Sequence, residues 1–338
     1  MSVQDSDRLI GESAAFHDAL DRVSQAAPLN RPVLLVGERG TGKELFAARL
    51  HYLSARWDQP YQQINCAALS ESLLESELFG HEVGAFTGAT RRHAGRFERA
   101  DGGTLFMDEL ATTSARVQEQ LLRVVEYGRF ERLGGRETLQ TDVRLVGATN
   151  IDLPTLAAAG AFRADLLDRL SFEVITLPPL RHRAGDIVLL AEHFAINMTR
   201  ELGEPAFPGF SSTAIEALNA YAWPGNVREL KNVIERSLYR HPDWTRQVET
   251  IVFDPFASPY RPSGLAPTDV PVTPRQPEKT SLKLPIDLKQ HLANTEREWV
   301  AAALAESRFN QRRAAEQLGL SYHQLRAILR RAPELLES

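Results

Sequence analysis

The run PVLLV, then GERGTGKE, then LFAARL (residues 32–50) constrains the fold of this chain more than any other feature. A short leucine and valine run ending in glycine reads as a buried parallel strand, and the residues from Lys43 onward read as a helix. Gly37, Gly40 and Gly42 allow backbone N–H groups to curl around phosphate oxygens without side-chain clashes. The positive dipole end of the following helix also favours an anion. The segment nearly fits the phosphate loop G-x-x-x-x-G-K-[ST], but Glu44 stands where a magnesium-binding hydroxyl is expected. The bland alternative is a tight strand-to-helix turn with an exposed lysine. The flanking strand and helix favour a nucleotide site.

Further segments add chemistry. GGTLFMDEL is a hydrophobic strand delivering Asp108 and Glu109 to its carboxyl end, where open parallel sheets hold ligands. Asp108 is expected to organise Mg²⁺ and Glu109 to orient or polarise the attacking water. Carboxylate, phosphates and water can hold the metal without a loop hydroxyl, so Glu44 does not remove the site. VRLVGATN ends a strand with Thr149 and Asn150, polar groups suited to sensing the γ-phosphate. FRADLLDRL carries Arg163 and Arg169, six apart and near one face of a helix. Arginines suit a finger that stabilises phosphoryl charge from a neighbouring subunit. WPGNVREL starts a helix and offers Arg228 to the nucleotide from above.

The chain has 338 residues, 43% hydrophobic and 25% charged, with net charge −5. This suits globular domains and excludes a protein coated with nucleic acid over its whole surface. The single cysteine, Cys66, excludes an internal disulfide framework and reads as packing. No apolar run of about 18 residues predicts a membrane span, and MSVQDSDRLI lacks the character of a signal peptide. The expected location is cytoplasmic, at the nucleoid. Strand candidates at Leu105–Met107 and Val143–Val146, with a weaker one in YQQINCA, alternate with helical patterns and predict an α/β domain with a mainly parallel sheet. After Pro178–Pro179 three amphipathic patterns predict a small helical subdomain. Seven of the 19 prolines lie between Pro255 and Pro277, a linker.

The segments GERGTGKE, ESELFGHEVGAFTGA, GGTLFMDE, FRADLLDRL and WPGNVREL resemble the AAA+ domain of bacterial enhancer-binding proteins, the activators of sigma-54 RNA polymerase. The resemblance runs from about Leu9 to Arg240 and resumes in the tail. In that family the phosphate loop ordinarily ends in Glu. The resemblance implies that Gly37, Glu38, Arg39, Gly40, Thr41, Gly42, Lys43 and Glu44 bind ATP, and that Asn65 pairs with the catalytic glutamate. It implies further that Arg163 and Arg169 are trans-acting fingers, Arg228 the second sensor, and the ATPase a hexameric ring. The stretch ADLLD departs from the family's commoner EDLYY but leaves both arginines intact. The loop Gly84, Ala85, Phe86, Thr87, Gly88, Ala89 would contact sigma-54 and move with nucleotide state. Tyr127–Gly135 would be the neighbouring second insertion. The start LIGESAAFHDAL leaves no room for a receiver domain, as in the phage-shock branch of the family. There phage shock protein A inhibits the ATPase in trans, and Trp57 is the candidate contact.

In NQRRAAEQLGLSYHQLRAILRRA, Ala314, Ala315 and Leu318 pack a first helix, Gly319 permits a turn, and Ser321 caps a second helix whose Leu325, Ile328 and Leu329 face inward. From Arg308 to Arg331 the local charge is +5, which leaves −10 elsewhere. Tyr322, His323, Gln324 and Arg326 suit base edges in the major groove, while Arg312, Arg313, Arg330 and Arg331 suit phosphates of double-stranded enhancer DNA. This helix-turn-helix resembles the Fis type, which commonly binds as a dimer; a dimerising hairpin without DNA is the plainer alternative.

The expected organisation is an AAA+ α/β subdomain over 1–178, a helical lid over 179–253, a linker over 254–280 and a Fis-type DNA-binding domain over 281–338. The rival reading is an ATP-switched DNA-binding protein of the replication-initiator kind, which has no use for GAFTGA. A DNA-binding repressor with a vestigial ATPase is a third, and the intact acids argue against it.

Overall fold

The computed structural model describes residues 8–332 except 184, 259, 262–295, 298, 305–306 and 308–309. Most of the expected linker over 254–280 and part of the segment preceding the helix-turn-helix fall outside the described residues. Two compact units are present, residues 1–257 and 258–338.

In the first unit five strands form one parallel sheet: β1 Val33–Val36, β2 Tyr61–Asn65, β3 Thr104–Asp108, β6 Arg144–Thr149 and β7 Glu173–Thr176, in the order β2-β3-β6-β1-β7. A separate antiparallel hairpin joins β4 Arg129–Glu131 to β5 Thr138–Gln140. The alternation of side chains explains why these runs are apolar throughout. Leu34, Leu105, Met107 and Leu145 face one core with Leu78, Phe79, Leu121 and Leu166. Val33, Leu35, Phe106, Val146 and Ala148 face the other with Phe16, Val23, Phe46 and Leu50. A sheet covered on both faces cannot show a polar side.

The weak candidate in YQQINCA is a full strand, β2. The expected strand at Val143–Val146 begins one residue later and runs on to Thr149. Strand β7 carries no marked sequence signal; with burial shared unevenly over four residues at the sheet's edge, its apolar run is too short to separate from the preceding helix.

The three helical patterns after Pro179 form Asp186–Leu202, Ser212–Ala220 and Asn226–Tyr239, packed around the fully buried Trp223. Buried ionic groups fasten this lid to the first helix, Ala14–Ala26. Asp186 accepts from the backbone N–H groups of Glu12 and Ser13 at 2.7 and 3.0 Å and from Arg183 Nε at 2.8 Å. Burial alone would raise the Asp186 carboxyl, but these donors hold it below its ordinary value.

In the second unit Gln311–Gln317 and Tyr322–Arg331 form the helix-turn-helix, with Gly319 at φ +66° making the turn. Ala314, Ala315, Leu325 and Leu329 are buried with Val300, Ala303 and Leu304, while Leu318 and Ile328 are half-buried. Ser321 Oγ accepts from Gln324 N at 3.3 Å, and Gln324 Oε1 accepts from Ser321 N at 2.8 Å, a reciprocal cap. The hydroxyl of Ser321 and the amide oxygen of Gln324 are thus engaged by the helix start. His323, Arg312, Arg313, Arg326, Arg330 and Arg331 are exposed; Tyr322 is half-buried under the Arg312 guanidinium, 6.0 Å from its ring centroid.

Candidate nucleotide site and sigma-54 loop

Parallel register brings four strand ends to one edge. Val36 lies opposite Thr149, and Asn65 opposite Asp108. The phosphate loop leaves β1 there, with Gly40 and Gly42 at φ +78° and +95° and the helix Lys43–Tyr52 starting at once. A cavity of about 750 Å³ opens at this edge, lined among others by Gly42, Lys43, Asn65, Asp108, Glu109 and Arg228. Arg39, Gly40 and Glu44 also line it, so the last letter of the motif faces the same space.

Lys43 Nζ donates to the carbonyls of Gly37 at 2.8 Å and Glu38 at 3.1 Å, curling the loop around itself. Burial lowers the Lys43 ammonium, against the pull of Asp108 and Glu109. A Cβ placed on Gly42 would meet nothing within 4 Å, so the loop keeps open space beside its N–H groups. Thr41 Oγ1 is turned inward, donating to the Glu38 carbonyl at 2.8 Å.

The two acids are held differently. Asp108 accepts from Asn65 Nδ2 at 3.4 Å and from Glu109 N at 3.0 Å. Glu109 sits in the left-handed region at φ +52°, a conformation disfavoured for a non-glycine residue and a form of strain stored at functional sites. With its amide oriented to satisfy both neighbours, Asn150 donates to Glu109 Oε2 at 2.8 Å and accepts from Arg39 Nε at 3.3 Å. Arg39 Nε itself lies 3.5 Å from Glu109 Oε1. This differs from the expected pairing: Asn65 reaches the aspartate, and Asn150 takes the glutamate. The reason is register, because β2 lies beside β3 and sets Asn65 level with Asp108, while Glu109 already turns away toward the end of β6. Thr149 is fully buried and bonds Ile151 N at 3.0 Å, so its hydroxyl is turned to its own strand end.

Among the described residues no group of three or more His, Cys, Asp or Glu side chains could hold a metal alone. A divalent ion at Asp108 fits this edge as one carboxylate plus phosphate and water oxygens, the usual magnesium arrangement. Cys66, buried behind the site, has its thiol pushed up to about 12 by burial, with Asp108 and Glu109 adding to the effect. It packs and is not nucleophilic.

Arg163 is the residue before the helix Ala164–Leu170 and not on one face with Arg169. It pairs with Asp165 at 2.7 Å; Arg169 pairs with Glu126 at 2.8 Å. Arg169 is exposed and Arg163 half-buried, and neither lines the cavity around Lys43.

Sequence reasoning missed the lid's grip on the loop. The buried Asn226, left-handed at φ +53°, donates to Glu38 Oε2 and the Arg39 carbonyl, each at 3.0 Å. Arg181 pairs with both Glu38 oxygens at 2.5 and 2.9 Å. Nothing local in WPGNVREL marks Asn226, because its partner Glu38 lies 188 positions away in the chain.

The Gly84–Ala89 loop stands between the helices Glu71–Phe79 and Arg96–Arg99. Phe86 is 46% exposed and its ring meets His81 edge-on at 4.9 Å. The loop's base is tied to the β4–β5 hairpin: Glu82 N donates to Leu133 O, and Leu133 N to Gly80 O, both at 3.0 Å. Arg132, buried there, bonds Glu98 at 2.5 Å and Glu82 at 2.9 Å. Trp57 is 63% exposed. No helix of the described residues is long and apolar enough to cross a membrane.

Comparison with known proteins agrees with this geometry. Residues 9–176 match the Sigma-54 interaction domain, residues 181–254 the AAA+ ATPase lid domain, and residues 291–331 the Fis family of bacterial regulatory proteins. The chain is 56% identical over 326 residues to the Psp operon transcriptional activator of Escherichia coli (strain K12), covering 96% of this chain and 98% of that protein. It is 41% identical to the Nif-specific regulatory protein of Azotobacter vinelandii, covering 94% of this chain and 57% of that one. Among solved structures it resembles NtrX from Brucella abortus in complex with ATP, with TM-score 0.66 and 30% identity, covering 96% of this chain and 68% of that one. The replication-initiator alternative is set aside by the first of these matches. The chain belongs to the sigma-54-dependent transcriptional activators, an AAA+ ATPase domain with its lid followed by a Fis-type helix-turn-helix.

Proposed function

We propose that this chain hydrolyses ATP in a hexameric ring of subunits and uses the cycle to press the Gly84–Ala89 loop against sigma-54 so that promoter DNA opens. The loop Gly37–Glu44 binds the phosphates through its N–H groups and Lys43. Asp108 would hold magnesium together with phosphate oxygens and water, an ion that offsets charge developing on the transferred phosphoryl group. Glu109, gripped by Asn150 and Arg39, orients the attacking water and accepts its proton. Asn65 steadies Asp108, Thr149 fixes the strand end that carries Asn150, and Arg228 closes over the nucleotide from the lid.

Arg163 and Arg169 lie outside their own cavity, Arg169 exposed and Arg163 partly open to solvent, which supports a role in the neighbouring subunit's site. Phe86 and Thr87 at the loop tip make the sigma-54 contact, with Gly84, Ala85, Gly88 and Ala89 supplying its mobility. The helix-turn-helix tethers the ring, as dimers, to upstream enhancer DNA through Arg312, Arg313, Arg326, Arg330, Tyr322 and His323. Phage shock protein A would restrain the ATPase in trans through the exposed Trp57, and the protein works in the cytoplasm at the nucleoid.

One observation carries this reading: the glycine loop with the exposed aromatic belongs to the same domain as the cavity uniting Lys43, Asp108 and Glu109. Transcription in vitro from a sigma-54 promoter tests it. Thr87→Ala should lose transcription while keeping ATPase activity. Unchanged transcription would defeat the reading. Adding purified phage shock protein A should lower turnover of the unaltered protein but not of Trp57→Ala.

A further inference from the structure

An acidic side chain inside an anion-binding loop is an electrostatic liability unless something neutralises it. Glu38 occupies such a position, directly after Gly37. Arg181 neutralises it with a two-pronged bond, Nη2 to Oε1 at 2.5 Å and Nη1 to Oε2 at 2.9 Å, and Asn226 Nδ2 adds a third donor at 3.0 Å. The Arg181 guanidinium and the Asn226 amide hold the Glu38 carboxyl below its ordinary range.

These contacts form a set. Asn226 Nδ2 also bonds the Arg39 carbonyl at 3.0 Å, Val227 N bonds the Gly40 carbonyl at 3.0 Å, and Asn226 Oδ1 accepts from Leu180 N at 2.8 Å. Three successive loop residues, 38 to 40, are therefore held by lid residues, and the next lid residue, Arg228, lines the nucleotide cavity. On its other side Glu38 offers its carbonyl to Lys43 Nζ at 3.1 Å and to Thr41 Oγ1 at 2.8 Å. The residue thus has its backbone on the phosphate-binding lysine and its carboxylate on the lid.

We infer that Glu38, Arg181 and Asn226 form a clamp that positions Arg228 over the nucleotide and passes the state of the phosphate loop to the lid. Glu38 and Arg181 are positioning residues in this scheme; they act through Arg228 and Lys43. When Lys43 turns toward a phosphate it gives up the Glu38 carbonyl, and the clamp shifts at the residue that holds the lid. The inference rests on the reading of Lys43 and Arg228 as nucleotide ligands.

The test uses the full chain with Arg181→Ala, Arg181→Lys and Glu38→Gln. Arg22→Ala serves as control, since it removes a comparably exposed pair with Glu173 at the far side of the sheet. A partly exposed pair of this kind is worth about two- to fivefold in an equilibrium, so Arg181→Ala should raise KM for ATP by about that factor with kcat changed less. Hydrogen exchange at the Val227 amide should quicken by a similar factor in Arg181→Ala, recover in Arg181→Lys, and stay unchanged in Arg22→Ala. Combining Arg181→Ala with Glu38→Gln should cost no more than the worse single change, since both break one clamp. Unchanged KM and exchange in Arg181→Ala, or strictly additive effects of the two changes, would overturn the clamp. If the unaltered protein turns over no ATP, the ATPase reading fails, whereas exchange with a non-hydrolysable ATP analogue still decides the clamp.

Discussion

Two glycine-rich loops of the same domain behave in opposite ways. In Gly37–Glu44 a Cβ on Gly40 would come within 2.2 Å of the Gly225 carbonyl oxygen, so the lid backbone lies directly on the loop. In Gly84–Ala89 a Cβ on Gly84 or Gly88 would meet nothing within 4 Å. Both glycines there have φ of +80° and +103°, so they are chosen for conformation and not for close approach. The first loop is fastened by long-range bonds from the lid. The second bonds mostly to itself, Gly84 N to Ala89 O at 2.9 Å and Ala89 N to Phe86 O at 3.0 Å, and rests on its surroundings through Ala85 against Gly134 and Phe86 against His81. Glycine therefore marks a locked joint in one place and a free tip in the other. The proposed function calls for both, a rigid site where chemistry is aligned and a compliant end that can be moved.

The largest expected effect is on the locked side. Glu109→Gln should lower hydrolysis about 10²- to 10⁴-fold in a phosphate-release assay, the usual worth of a positioned base, while nucleotide binding by calorimetry persists. Next comes the direct comparison of the two loops. Gly40→Ala should cut ATPase activity about 100-fold by displacing loop or lid. Gly88→Ala should spare ATPase activity and lower sigma-54 transcription. Equal losses of ATPase in both variants would break the contrast.

Smaller effects sharpen it. Burial pushes the Cys66 thiol up to about 12, so it stays protonated and a disulfide reagent at pH 8 should label it only after denaturation. Fast labelling of the folded protein would show that the ground behind the site is loose. The smallest effect is at Glu38. Its folded value lies below the ordinary 4.5, so the clamp's stabilising part is present above that pH and is lost as pH falls through the lowered value. The gap in thermal midpoint between the unaltered protein and Glu38→Gln should hold from neutrality to about pH 5 and close in stronger acid. Since both partners are some two-fifths exposed, solvent screening keeps that gap small.

Much of this was legible in the chain because the signals are local. Strand, glycine loop and helix are contiguous at Gly37–Glu44, and Asp108 and Glu109 end an unmistakable apolar strand. Ser321 was readable as a helix cap because its partner Gln324 is three residues on. What failed was what depends on neighbours in space. Strand β7 was missed because four edge residues carry no period long enough to read. Asn65 was expected on Glu109 and lies on Asp108, since sheet register, not spacing in the chain, decides which side chains sit level. Arg163 was expected on a helical face and stands before the helix instead.

The sequence by itself determined the chemical parts: a phosphate loop, a pair of acids, an exposed glycine tip and a basic helix-turn-helix, each encoded within a dozen neighbouring residues. Only the tertiary structure decided who holds whom. Asn150 on Glu109, Asn226 on Glu38 and Leu133 on the base of the Gly84–Ala89 loop join residues far apart in the chain. Hydrogen bonds are short-ranged and directional, so such pairs exist only once the sheet and lid have brought their atoms within about 3 Å.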